Sequence, residues 1–154
     1  MRNIWEMAKE LPIQTGSEIT GGFTVGFDRQ IPEEMKDALM NFSYWVEDRY
    51  SLPVTLWVDF KYRHYLRGSD GKRAFYRFYW AEFATYPVFD NYDDIPVIEL
   101  AVRTENRTMD EILKALIDAI SCYFAWLSRL DMGSYKPDPV LTEQILREYK
   151  ETLR

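Results

Sequence analysis

One stretch of the chain places its few chemically capable side chains on a single helical face. From Ala115 to Leu127 the sequence reads ALIDAISCYFAWL. It is apolar nearly all round, which predicts a helix sandwiched inside the domain. Only Asp118 and Ser121 interrupt it with strongly polar groups, and Cys122 follows Asp118 by four residues. Positions 118, 121, 122 and 125 therefore share one face. A buried carboxylate is costly unless it is paired or hydrogen-bonded. Asp118 thus calls for water, an arginine on the facing sheet, or a cavity open to solvent. The chain carries one cysteine, Cys122, and one histidine, His64. An intrachain disulfide and a Cys/His zinc cage are excluded, and a Ser–His–Asp triad would have to run through His64.

A second chemical cluster lies in residues 61–80, KYRHYLRGSDGKRAFYRFYW. Lys61, Arg63, Arg67, Lys72, Arg73 and Arg77 face a single acid, Asp70, a local charge of +5 that leaves −11 for the rest of the chain. Tyr62, His64, Tyr65, Phe75, Tyr76, Phe78, Tyr79 and Trp80 are interleaved with these cations. Cations among aromatics suit single-stranded nucleic acid, through phosphate contacts and base stacking, or another anionic partner. The competing reading is structural. Alternate aromatics would pack on the core while the charges coat the solvent face and pair with acidic helices such as Glu33–Asp37.

The elements that must position these residues can be read in order. Ile4–Leu11 suits a short helix and Thr15–Gly22 a loop, followed by a short edge strand over Gly22–Phe27. Pro32 suits a first helical turn, with Glu33, Glu34 and Asp37 at the positive end of the helix dipole. Met35, Leu39, Phe42, Trp45, Val46 and Tyr50 recur at helical spacing, so this helix runs to about residue 50, and Pro53 stops it. Val54–Phe60 reads as a strand, separated by the Gly68–Gly71 turn from a second strand, Arg73–Phe83. That second strand carries Phe75, Tyr79 and Ala81 on one face and Tyr76, Phe78 and Trp80 on the other. A turn region, Tyr86–Asp94, precedes a strand buried on at least one face, Pro96–Arg103. Thr108-Met-Asp-Glu111 is a capping box for the central helix, which should run to about Leu130. Asp138-Pro139 caps a last amphipathic helix through Leu141, Ile145, Leu146, Tyr149 and Leu153.

The expected architecture is α+β: a small, mostly antiparallel sheet of three to four strands, in meander form, against a central buried helix flanked by two amphipathic helices. The 154 residues suit one domain, with 1–28 as an N-terminal extension and 32–150 as the core. Hydrophobic residues make up 47% and charged residues 29%, which excludes a disordered chain. A net charge of −6 argues against nucleic acid as the default partner. No apolar run is long enough to span a bilayer, and the first residues lack a signal-peptide core. A cytoplasmic location is the expectation, consistent with a single thiol.

The central helix resembles the active-site helix of small bacterial and phage zincin-like proteins, which reads roughly H-E-x-x-H-Y-x-x-W. On that pattern Asp118 stands for the first histidine, Ala119 for the glutamate base and Cys122 for the second histidine. Tyr123 and Trp126 match the flanking aromatics, and the order of elements over about residues 32–150 is similar. The resemblance implies a zincin-like fold whose metal ligands and general base have been replaced. Ala119 cannot accept a proton, and Asp118 with Cys122 makes a poor zinc site. No metal, no cofactor and no hydrolysis are expected.

Three functional readings follow. The first is a non-catalytic zincin-like domain that binds a protein or peptide. Its docking edge would be the aromatic strand carrying Arg73, Phe75, Tyr76, Arg77, Phe78, Tyr79 and Trp80, open to a peptide strand or a second copy of the chain. This reading requires the face bearing Asp118, Ser121 and Cys122 to line a cleft beneath that strand. The second is a nucleic-acid or anionic-ligand module using the basic hairpin 61–80. The third is a metal-dependent hydrolase working through Asp118 and Cys122.

Overall fold

The computed structural model describes residues 22–68, 70–82, 94–105, 107–128 and 136–153. The expected helix Ile4–Leu11, the turn Tyr86–Asp94 up to residue 93, and residues 129–135 lie outside these. Strand β1 spans Phe23–Phe27, helix α1 Glu33–Arg49, β2 Leu56–Lys61, β3 Leu66–Arg67 and β4 Arg73–Ala74. Then come β5 (Tyr76–Glu82), β6 (Asp94–Ala101), α2 (Met109–Ser128) and α3 (Pro139–Thr152). The fold is α+β, with one four-stranded sheet and the small β3–β4 hairpin beside it.

The sheet corrects the antiparallel meander. Its order is β1-β2-β6-β5, with β1/β2 and β2/β6 parallel and only β5/β6 antiparallel. The Gly68–Gly71 turn does form: Gly68 N donates to Lys72 O at 2.8 Å and Gly71 adopts φ +79°. It closes only the two-residue β3–β4 ladder. β6 takes an interior place because it buries apolar side chains on both faces, Ile98 and Leu100 on one and Val97 and Ala101 on the other, beside the partly exposed Glu99. A strand buried on both sides belongs in the interior of a sheet. The parallel β1–β2 pair needs a crossover, which the 17-residue α1 supplies. β1 lies within the expected extension 1–28, so the sheet begins at Phe23, well before residue 32.

The three helices among the described residues follow the sequence signals. Pro32 is the N-cap of α1, one place before its expected position, and its carbonyl accepts from Met35 N and Lys36 N at 3.0 Å each. α2 is buried nearly all round, from Ile112 to Trp126. The hydroxyl half of its capping box is made, Glu111 N donating to Thr108 Oγ1 at 3.1 Å. Asp138 caps α3, accepting from Val140 N at 3.0 Å and Leu141 N at 3.4 Å.

The register places Leu56, Val58 and Phe60 of β2, Ile98 and Leu100 of β6, and Tyr76 and Phe78 of β5 on the helix side. They meet Leu39, Phe42 and Val46 of α1 and Leu116, Ile120 and Tyr123 of α2 in one core. Tyr149 of α3 closes it, its ring edge-on to Phe42 at 4.8 Å. The opposite face of the sheet carries Trp57, Asp59, Glu99, Arg77 and Tyr79. Among the described residues no helix is long and apolar enough to cross a membrane.

Candidate functional site

The polar strip on α2 is absorbed by packing. Thr142 Oγ1 of α3 donates to Asp118 Oδ1 at 2.8 Å. Ser121 Oγ donates to the Asp118 carbonyl at 2.7 Å and accepts from Asp138 N at 3.0 Å, tying α2 to the start of α3. Asp118 therefore finds its partner on the last helix rather than in an arginine of the sheet. Cys122 is 1% exposed, and the Tyr76 hydroxyl of β5 hydrogen-bonds its thiol. Burial pushes that thiol up to about 11, reinforced by the Asp118 charge, so it stays protonated near neutral pH. The protonated form is the weaker nucleophile, since the thiolate is the reactive species. Ala119 is fully buried.

Among the described residues, Thr142 and Tyr76 are the side chains that meet Asp118 and Cys122, while Asp118 itself stays partly exposed. These residues do not fit the zinc centre that the zincin resemblance implies in its intact members. Among the described residues, no three His, Cys, Asp or Glu side chains converge as a metal set.

A different site assembles at the other end of the sheet. The chain leaves β2 through Tyr62–Tyr65, held by Val102 N to Lys61 O at 3.0 Å and Arg103 N to Arg63 O at 3.1 Å. The segment after β4 is held by Ala101 N to Phe75 O at 2.9 Å. These ties bring the basic hairpin against residues 99–107. Two adjoining hollows open there. The larger, about 560 Å³, is lined by Arg63, Arg67, Arg77 and Arg103 with Tyr62, Leu66 and Glu99. The smaller, about 400 Å³, is walled by Phe75, Ala74, Arg73, Arg107 and Glu105. His64 and Tyr65 line both.

Six arginines thus surround the pair, against two glutamates. Arg77 pairs with Glu99 at 3.5 Å, and Arg103 pairs with Glu105, which also faces His64 at 3.3 Å. The Arg103 hydrogen bond holds the Glu105 carboxyl below the ordinary carboxylate range. Arg63, Arg67 and Arg73 have no carboxylate partner among the described residues. Aromatic rings carry several of the guanidiniums. Arg73 lies 4.4 Å from the centre of Tyr65, Arg107 3.9 Å from Phe75, Arg103 5.0 Å from Tyr62 and Arg77 5.4 Å from Tyr79. Such stacking fixes the plane of a guanidinium while leaving its N–H edge for an anion. Arg107 is half-buried: its Nη1 donates to Ala101 O at 2.7 Å, while Nε and Nη2 are buried without a partner. Burial pulls its guanidinium below the usual value.

No family model, curated protein or solved structure matches this chain. The geometry therefore carries the functional reading. The structure divides the seven residues proposed for the docking edge. Arg73, Phe75, Arg77 and Tyr79 face outward around the hollows or the outer sheet face, whereas Tyr76 and Phe78 turn into the core. The side chain of Trp80 lies outside the described set. At the acidic helix start, Glu33 pairs with Lys36 of its own helix. Sequence reasoning missed Glu99, Arg103, Glu105 and Arg107. Their only signal was the β5/β6 pairing, which local spacing does not reveal.

Proposed function

We propose that this chain is a non-catalytic binding domain whose arginine-lined groove takes an anionic ligand. The observation that carries this reading is the excess of six guanidiniums over two carboxylates around two adjoining hollows, with Arg63, Arg67 and Arg73 lacking a carboxylate partner among the described residues. Unpaired like charges repel one another and weaken the fold unless a counter-charge joins them. Arginine presents a planar fork of donors suited to phosphate or carboxylate. A calorimetric titration with tripolyphosphate tests it. Binding is expected in dilute buffer, weakening about tenfold or more as salt rises from about 0.05 M to about 0.5 M. It should be abolished by joint Arg63→Glu and Arg67→Glu substitution. Absence of binding, or binding untouched by that double substitution, contradicts the proposal.

Descent from a zincin-like ancestor is a second reading, supported by one specific observation. β5 ends the sheet among the described strands, runs antiparallel to β6, and lays Tyr76 across Cys122 of α2. In zincins the corresponding edge receives a substrate backbone, so β5 would take an extended peptide or a second copy of the chain. Zinc in near-stoichiometric amount in the purified protein, lost on Asp118→Ala, would instead favour a metal-dependent hydrolase. A reducing cytoplasm suits the enclosed, unpaired Cys122 thiol.

A further inference from the structure

We infer that the two hollows are the halves of one nucleotide site, the larger taking phosphates and the smaller taking a base. The inference rests on the anion-binding reading of the groove and adds the identity of its ligand. Three features lead to it. First, the hollows adjoin, with His64 and Tyr65 lining both, and their volumes of about 560 and 400 Å³ match the scale of a small organic ligand. Second, the halves differ in chemistry. Four arginines surround the larger, which suits several negative charges concentrated in one small space. A phosphate chain supplies that charge density and a single carboxylate does not. The smaller half is mostly ring and methyl surface from Tyr65, Phe75 and Ala74.

Third, two of the three exposed aromatics among the described residues lie here. Tyr65 is 37% exposed and Phe75 48%, two of only four large hydrophobic side chains exposed among the described residues. Exposed rings set together beside cations mark a recognition surface. Each ring already holds a guanidinium against one face, Arg73 on Tyr65 and Arg107 on Phe75. A flat heterocycle adds to such a layered arrangement through stacking that is indifferent to base identity. The ligand chemistry is therefore a phosphorylated nucleoside, free or at the end of a single strand. The net charge of −6 disfavours a long polyanion running beyond the groove.

The test is calorimetry on the full chain without divalent cations. The titrants are adenosine triphosphate, tripolyphosphate, a 5′-phosphorylated oligothymidine and an acidic tyrosine-containing peptide. Adenosine triphosphate is expected to bind about tenfold more tightly than tripolyphosphate. Phe75→Ala should remove that advantage, so that adenosine triphosphate and tripolyphosphate bind the variant with equal affinity. Tyr65→Phe, which keeps the ring, should retain it, and circular dichroism confirms that both variants fold. Competition between the oligonucleotide and adenosine triphosphate supports the inference, and the tighter of the two identifies the source. Equal affinity for adenosine triphosphate and tripolyphosphate overturns the nucleotide inference while the anion reading stands. So does a peptide that binds without displacement by adenosine triphosphate. Failure of every titrant overturns both.

Discussion

Replacing Thr142 with valine asks whether Asp118 is a structural residue. Thr142 is 1% exposed, and its hydroxyl donates to Asp118 Oδ1 at 2.8 Å. Valine keeps the shape and deletes the donor, so the loss comes from the hydrogen bond with little cavity. A bond to a charged acceptor contributes about 1.5–3 kcal/mol. Asp118 is only half-buried, so water recovers part of this, and about 1.5 kcal/mol is the expected destabilisation of Thr142→Val. For a chain of this size that lowers the melting temperature by roughly 3–6 °C. Urea unfolding of the wild type, Thr142→Val, Asp118→Ala and the double variant closes a cycle. The two substitutions should couple by about 1 kcal/mol, because either one alone removes the same bond. Additive effects would refute the reasoning. So would an Asp118→Ala variant more stable than the wild type, which marks a carboxylate retained for function at a cost in stability.

Three further outcomes follow from the same packing. Asp138→Ala strips the α3 cap from Val140 N and Leu141 N and should destabilise by about 1 kcal/mol in denaturant titration. Tyr149→Phe should leave stability unchanged or raise it by up to about 1 kcal/mol, since the buried Tyr149 hydroxyl has no partner among the described residues; a loss above that size would reveal a bond to it. Cys122 binds its proton more tightly folded than unfolded, so stability should fall as pH rises from about 9 towards about 11. Cys122→Ala should flatten that decline, measured by thermal melts across the same range, and an unchanged slope would contradict the assignment.

Much of the frame was legible locally. Helix ends were written in Pro32, Thr108 and Asp138-Pro139, and burial of α2 in a run interrupted only by Asp118 and Ser121. These signals act within a turn or two of chain. Strand order was not legible, because it depends on which strand is buried on both faces. Val97 to Ala101 met that condition more strictly than the sequence pattern conveyed, and the Gly68–Gly71 turn competed as a hairpin signal. The same non-local pairing explains the site. The arginines of residues 61–80 were evident from composition, but Arg103 and Arg107 join them only because β6 inserts between β2 and β5. The contacts of the α2 strip are non-local too. Asp118 and Cys122 meet Thr142 and Tyr76, partners distant in sequence.

The groove is tested most directly by mapping amide and arginine Nε–H shifts in nuclear magnetic resonance spectra as tripolyphosphate is added. The changes should cluster at Arg63, Arg67, Arg73 and Arg103 and the residues beside them, and vanish when Arg63 and Arg67 are both replaced by glutamate. Shifts centred on Asp118 and Cys122, spread over the surface lysines, or absent altogether would contradict the account.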